Sequence, residues 1–196
     1  MLFNNPQFFV FVGICIVLLS FGPRTYKKCI LLLSSYVFYG LWDWRFLSLI
    51  WISTIVDYTI GRELFVTPDV NKKKKLLFIS VFTNLSLLGL FKYFNFFIDS
   101  LIDLLGIGGY TRTLNIILPV GISFYTFQTM SYTIDIYRRQ FKPTNSLLDF
   151  SNFVAFFPQL VAGPIERAKN LLPQIEEFNG ISTKHIRSAM VLLIIH

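Results

Sequence analysis

Charged residues are scarce in this sequence. Only 15% of its 196 residues are Asp, Glu, Lys or Arg, whereas a soluble domain carries about a quarter. The scarcity is concentrated in long uncharged runs, and more than half of the residues are apolar, including 22 Phe. Because one water-soluble core cannot bury that much apolar surface, the composition predicts that lipid surrounds much of the chain.

Cysteine and histidine are rare as well. Cys15 and Cys29 lie in or beside apolar runs, which predicts packing residues and excludes a disulfide framework. The two histidines, His185 and His196, have no neighbours typical of a general base. The sequence also has no metal-ligand spacing, no G-x-S-x-G elbow and no Gly-rich phosphate loop. We therefore predict no metal site and assign no catalytic residue.

No basic residue precedes the first apolar run, and no small-residue cleavage site follows it. We therefore predict that this run is not a cleavable signal peptide.

The net charge of +7 suggests nucleic-acid binding at first sight. However, the basic residues form short clusters between apolar runs and no continuous basic face. This pattern is typical of membrane-protein loops, and we predict no nucleic-acid partner.

Five apolar runs predict membrane-spanning helices. They cover residues 8–21, 29–42, 46–61, 76–98 and 113–134. The second and third are shorter than the roughly 20 residues that cross a bilayer, so they either include polar flanks or thin the membrane locally. Residues 188–196 begin a further span of only about two turns, from which we expect the chain to be the amino-terminal part of a longer protein.

The basic residues predict the orientation of these helices. If the amino terminus is outside and all five runs cross, eleven basic residues up to Lys142 lie in cytoplasmic loops and two lie outside. The eleven are Arg24, Lys27, Lys28, Arg62, Lys72, Lys73, Lys74, Lys75, Arg138, Arg139 and Lys142, and the two are Arg45 and Arg112. The four consecutive lysines either anchor this topology or bind anionic lipid head groups.

Residues 150–165 are uncharged but have basic residues on both sides. A crossing would place one basic cluster outside, whereas a re-entrant or interfacial segment keeps both inside. Pro158 and the pair Gly163 and Pro164 would interrupt a helix, and interrupted backbone at membrane depth persists only against protein or a water-filled cavity. We therefore predict a segment that lines a cavity open to the cytoplasm.

Several polar residues fall inside the apolar runs, where ionisable groups are functional candidates. For Asp57 and Asp135 we expect pairing with nearby arginines (Arg62; Arg138 and Arg139), and for Lys92 an interfacial position. Ser123, Gln128 and Asp135 form a polar stripe that either packs against other helices or lines a tunnel. The candidate cavity residues are Ser123, Gln128, Asp135, Gln159, Gly163, Pro164 and Arg167.

The chain resembles the membrane-bound O-acyltransferase family, in its bacterial polysaccharide branch. The resemblance starts with Phe38-Tyr39-Gly40, Asp57-Tyr58 and Phe91-Lys92-Tyr93, and its most specific parts are residues 119–128, continuing to Arg138, and 157–165. It covers nearly the whole chain in order.

This resemblance implies an all-α, polytopic bundle around a tunnel, here incomplete, in the bacterial cytoplasmic membrane. The implied reaction moves an acyl group, in the first place acetyl, from a cytoplasmic thioester donor (acyl-CoA or acyl carrier protein) to polysaccharide hydroxyls, directly or through an extracytoplasmic acyltransferase partner. No bound cofactor is implied. The family's catalytic histidine lies beyond residue 196, so we expect the chain alone to be inactive.

Two other interpretations remain open from the sequence. Interrupted helices with polar residues at membrane depth also occur in transporters and channels, although we find no inverted repeat. A short noncatalytic membrane scaffold that binds a carrier or partner is the third interpretation.

Overall fold

The structure is helical throughout the residues that it describes. The computed structural model describes residues 6–105, 121–163 and 166–181, and no β-strand occurs within these ranges. Their α-helices are α1 (Pro6–Ser20), α2 (Arg24–Asp43), α3 (Leu47–Val66), α4 (Val70–Leu88), α5 (Phe94–Leu105), α6 (Ile122–Tyr137), α7 (Leu147–Ala155), α8 (Phe157–Ala162) and α9 (Ala168–Glu176). The prediction of an all-α chain is confirmed.

Two helical turns of other types link these elements. A 3₁₀ turn, Trp44–Phe46, connects α2 to α3, and the Asp43 carboxylate at its start accepts hydrogen bonds from the backbone and side chain of Arg45. A π-helical turn, Gly89–Tyr93, joins α4 to α5 without a break. The second junction makes one long helical rod of α4 and α5.

The helices begin earlier or end later than several of the predicted runs. Helix α3 continues to Val66, and α4 begins at Val70, so the four lysines lie in its first turns and not in a loop. The Asp69 side chain caps α4 by accepting a hydrogen bond from the Asn71 backbone N–H at 2.8 Å, and lysine is a good helix former. Residues 113–120 and 188–196 lie outside the described residues.

One helix in the described part of the chain is long and apolar enough to cross a membrane. It is the 24-residue stretch Val70–Tyr93. Helix α1 is apolar but shorter. Length and composition therefore identify a single candidate span, and the predicted five-span topology stays a prediction.

Apolar side chains cover much of the outer surface, while polar side chains are buried inside. Exposed examples on α1 to α4 are Phe9, Val17, Leu33, Val37, Ile52, Ile55, Phe78 and Phe82. Buried polar examples on α2, α3, α4 and α6 are Ser35, Ser53, Asp57, Ser80, Asn84, Thr126, Gln128, Thr129 and Thr133. The interior also contains an apolar core, but so many buried polar side chains beneath an apolar surface are unusual in a water-soluble domain.

Helices α3, α4 and α6 form one closely packed group. The approach of α3 to α6 depends on Gly61, because a Cβ atom at this position would lie 2.6 Å from a ring carbon of Tyr132. Tyr132 is fully buried and its ring packs against Phe150 of α7 with centroids 4.5 Å apart. The ring therefore has no room to move away from a larger side chain at Gly61.

We expect Gly61→Ala to destabilise the protein by about 1–3 kcal/mol, the usual cost of overpacking a filled interior. The measurement is thermal unfolding in detergent followed by circular dichroism. Gly13→Ala in α1 is the matched control, because nothing lies within 4 Å of a Cβ atom there. An equal loss of stability in both variants would contradict the close approach.

Candidate functional site

The interrupted segment, defined here as α7, α8 and α9, is held by one buried cation. The Lys28 ammonium, at the start of α2, lies 2.6 Å from the Asp149 carboxylate in the first turn of α7. The same ammonium donates a hydrogen bond to the Glu176 backbone carbonyl at the end of α9, at 2.9 Å. Both side chains of the ion pair are less than a tenth exposed. Both ends of the interrupted segment therefore lie near Lys28, at the same end of α2.

The start of α7 is fixed by a local cap. The Ser146 hydroxyl accepts a hydrogen bond from the Asp149 backbone N–H at 3.1 Å, as the sequence motif predicts. The Asp149 carboxylate does not complete a reciprocal capping box, because it pairs with Lys28. In addition, the Asn152 side-chain amide donates to the Lys28 backbone carbonyl at 3.0 Å.

The helix is interrupted at Phe156, whose backbone is extended. The interruption frees backbone groups, and side chains from neighbouring helices meet two of them. The Gln128 side-chain amide of α6 donates to the Phe153 carbonyl at 2.8 Å, and the Phe157 N–H donates to the Ser35 hydroxyl of α2 at 3.5 Å. Ser35 is seven residues beyond Lys28, about 10 Å along α2 at 1.5 Å per residue. The break therefore lies well inside the bundle.

A buried polar cluster joins α3, α4 and α6. The Asp57 carboxylate accepts hydrogen bonds from the Ser80 hydroxyl at 2.5 Å and the Asn84 side-chain amide at 2.7 Å. Thr133 lies 3.0 Å from the Ser80 hydroxyl, and Thr129 donates to Asn84 at 3.3 Å. The expected pairing of Asp57 with an arginine is therefore wrong. Asp57 lies at the middle of α3, where side chains of α4 are closer partners.

The candidate residues on α6 face different neighbours. Ser123 accepts a hydrogen bond at 2.9 Å from the ammonium of Lys92 in the π-helical turn, whereas Gln128 contacts α7. Asp135 is buried near the other end of α6, where its Oδ2 atom has no hydrogen-bond partner and no described arginine forms an ion pair with it. Ser123 and Gln128 therefore contact different helices, whereas Asp135, seven residues after Gln128, lies on nearly the same face of α6 as Gln128.

The candidates after the break lie along α8 and at the start of α9. Gln159 is buried, and a Cβ atom at Gly163 would lie 3.0 Å from its Cα atom, so the chain turns tightly there. Arg167 is exposed and precedes the first residue of α9. Pro164 lies outside the described residues. Gln128 and Gln159 are thus near the break, whereas Ser123 and Arg167 are at its periphery.

Sequence reasoning missed the residues that hold the segment. Lys28 belonged to a cluster interpreted only as a topology signal. The stretch Ser146 to Asp149 has the spacing of a capping box, which predicts only a local role for Asp149 at the start of a helix. Ser35 and Asn152 gave no signal of their own. The contact between Lys28 and Asp149 could not be predicted, because the two residues are more than a hundred positions apart in the sequence. Only the fold brings them together.

Within the described ranges, no group of three or more His, Cys, Asp or Glu side chains could hold a metal ion. Most of the buried polar side chains in the described ranges are hydroxyls and amides. Such groups position backbone and neighbouring helices but do not exchange protons readily near neutral pH. The described helices therefore enclose an interior that is partly polar.

The chain is similar to three curated O-acetyltransferases. It is 39% identical over 175 residues to a probable alginate O-acetylase of Pseudomonas aeruginosa, which covers 87% of this chain and 34% of that protein. A probable alginate O-acetylase of Azotobacter vinelandii shows the same identity over 87% of this chain and 35% of its own length. The peptidoglycan O-acetyltransferase of Helicobacter pylori is 30% identical over 99% of this chain and 42% of that protein.

The chain spans about a third of the length of the alginate relatives that it matches. No family model matches the chain, and no solved structure matches it.

We expect Lys28→Met to lower the free energy of unfolding by about 3–5 kcal/mol, because it leaves the buried Asp149 carboxylate without its cation. The double variant Lys28→Met, Asp149→Leu should recover much of this loss. The measurement is again thermal unfolding followed by circular dichroism.

Lys72→Met is the matched control for this prediction. The ammonium of Lys72 lies 3.5 Å from Glu63, and both side chains are more than half exposed, so its loss should cost at most about 1 kcal/mol. Equal effects of the two single variants, or no recovery in the double variant, would contradict the role of Lys28.

Proposed function

Because this chain is related to bacterial O-acetyltransferases, as its motifs predicted, we propose that it forms part of a membrane-bound O-acyltransferase that modifies a polysaccharide. In this proposal a cytoplasmic acetyl thioester, carried by coenzyme A or an acyl carrier protein, gives its acetyl group to hydroxyls of an envelope or secreted polysaccharide. The names of the relatives support the acetyl group and the polysaccharide acceptor. An extracytoplasmic partner acyltransferase is the alternative immediate acceptor.

The interrupted segment is the observation that carries this proposal. In hydrocarbon every backbone polar group needs a partner within the protein. Gln128 and Ser35 supply such partners at the break, so the segment suits a re-entrant position that leads from the cytoplasm into the bundle. A thioester entering there would be shielded from water by packed helices, which limits its hydrolysis.

The distribution of polar and apolar residues supports a membrane position for α1 to α6. The outer faces of α1 to α4 are apolar, and the polar groups of α3, α4 and α6 bond to one another, as in helix association within lipid. Contacts also bring regions near the basic clusters close to one another. Lys28 meets both ends of the interrupted segment, and the Tyr58 hydroxyl donates to the Asn145 carbonyl at 2.8 Å. In the proposed orientation this end is cytoplasmic, and the amino terminus is outside.

The chemistry requires a base that takes the proton from the acceptor hydroxyl while the thioester carbon is attacked. Histidine suits this role near neutral pH, and we propose that the family's histidine acts from a part of the enzyme beyond residue 196. The residues of this chain would orient the donor and exclude water. The chain by itself should therefore transfer no acetyl group.

The orientation predicts the labelling of an introduced cysteine. With Cys15 and Cys29 changed to serine, Lys74→Cys should react with a membrane-impermeant maleimide only after spheroplasts are permeabilised. Trp44→Cys is the external control, since Trp44 is 74% exposed at the opposite end of the helices. Labelling of the residue 74 variant in intact spheroplasts would overturn the orientation and the cytoplasmic entry.

The supported break predicts an effect on acetylation. In cells producing the complete gene product that carries this chain, Gln128→Leu should lower polysaccharide acetylation about fivefold or more, since an unpaired buried carbonyl disfavours the supported break by about 1–3 kcal/mol. The measurement is ester-bound acetate released from purified polysaccharide, normalised to enzyme in the membrane.

Gln140→Leu is the control, because Gln140 is exposed just after α6 and should leave acetylation unchanged. Changing the family's histidine to alanine in the same gene product should abolish acetylation. Full activity of the histidine variant would remove the proposed mechanism, and full activity of Gln128→Leu would remove the role of the break.

A further inference from the structure

A partly open cavity of about 490 Å³ lies between α1, α2 and the α8–α9 part of the interrupted segment. Its lining is almost entirely apolar and includes Cys15 and Leu19 of α1, Leu31 of α2, and Leu171 and Ile175 of α9. The volume is within the range of about 300–1,000 Å³ that is typical of small-molecule sites. Such sites usually include several polar groups that fix the orientation of the ligand, whereas this lining suits a hydrocarbon.

One end of the cavity is next to a basic side chain. Phe178 and Ile181 are part of its lining, and the Lys27 ammonium donates a hydrogen bond to the carbonyl of Asn179, between them, at 2.9 Å. Arg24 is exposed one turn earlier on α2. The cavity therefore combines an apolar interior with positive charge at its rim.

The position of the cavity matches the lipid leaflet that carries the complementary charge. Its lining comes from the last turns of α1 and the first turns of α2, which lie at the cytoplasmic end in the orientation proposed above. Anionic phospholipids face the cytoplasm, and each basic residue near them adds attraction. Burying methylene groups in an apolar cavity is favourable in proportion to the area covered.

We propose that this cavity binds one acyl chain of an anionic phospholipid from the cytoplasmic leaflet, with the lipid phosphate near Lys27 and Arg24. The inference rests on the proposed membrane position but not on the transfer reaction. Ser34 of α2 also lines the cavity and is nearly buried, so a larger side chain there would occupy the space of the lipid chain.

The test uses photo-cross-linking in nanodiscs that contain the complete gene product. The probe is phosphatidylglycerol with a diazirine in one acyl chain, and mass spectrometry locates the cross-links. We expect enrichment on the cavity residues of α1 and α9 relative to the exposed Phe78 and Phe82 of α4. Ser34→Phe should lower the cavity cross-links about tenfold or more, whereas Leu33→Phe, at the neighbouring but 58% exposed position, should not.

The charge at the rim is tested with the head group. Phosphatidylcholine with the same diazirine chain should cross-link less than phosphatidylglycerol, and Lys27→Gln should reduce this difference while Lys74→Gln leaves it unchanged. Glutamine can still donate to the Asn179 carbonyl, so the change isolates the charge.

Three results would overturn the inference. One is cross-linking spread evenly over all apolar faces, and another is equal yield from Ser34→Phe and its control. The third is lipid cross-linking to a later segment of the same gene product with none on the cavity residues. If the maleimide experiment places residue 74 outside, the proposed topology fails as well. A correct topology with evenly spread cross-links would remove only the lipid site.

Discussion

The Lys28 ammonium is the contact on which the geometry of the interrupted segment depends. It reaches the side chain that opens α7 and the carbonyl near the end of α9, so one charge fixes both ends of the segment against α2. Removing two charges from water is costly, and a buried ion pair often adds little net stability. The ion pair between Lys28 and Asp149 instead favours one arrangement of the interrupted segment over others. An uncompensated Asp149 in any other packing would be strongly unfavourable, and this penalty keeps the segment in its place.

In the proposed membrane position, the lipid around the bundle imposes a second constraint. When the exterior is apolar, apolar surface no longer drives one helix against another, and hydrogen bonds together with close packing take over this role. The Asp57 cluster provides the hydrogen bonds between α3 and α4, and Gly61 allows the close packing between α3 and α6. The hydrogen-bonded cluster explains why the described interior between these helices is rich in serine, threonine and asparagine.

The sequence predicted the class of the fold better than its contacts. Apolar runs locate helices because their periodicity and length depend on local composition, and the cap at Ser146 follows from adjacent residues alone. The partner of Asp57 could not be predicted, since it requires knowing that α4 passes the middle of α3. The lysines of α4 were assigned to a loop because their charge suggested solvent, although charge does not oppose a helix. For the candidate site, the interruption near Pro158 was visible in the sequence, but the side chains that support it, Ser35 and Gln128, come from α2 and α6.

The π-helical turn between α4 and α5 affects how the sequence of this long helix is aligned with the sequences of related proteins. Such a turn accommodates one residue more than the regular helix would, and each residue rotates an α-helix by about 100°. The first half of the rod directs Ser80 and Asn84 toward α3, and within the turn Lys92 donates a hydrogen bond to Ser123 at the start of α6. Across this point a residue-by-residue alignment with a homologue that lacks the extra residue would match side chains on different faces. Equivalent positions in α5, the second half of the rod, should therefore be assigned with a gap inside Gly89–Tyr93.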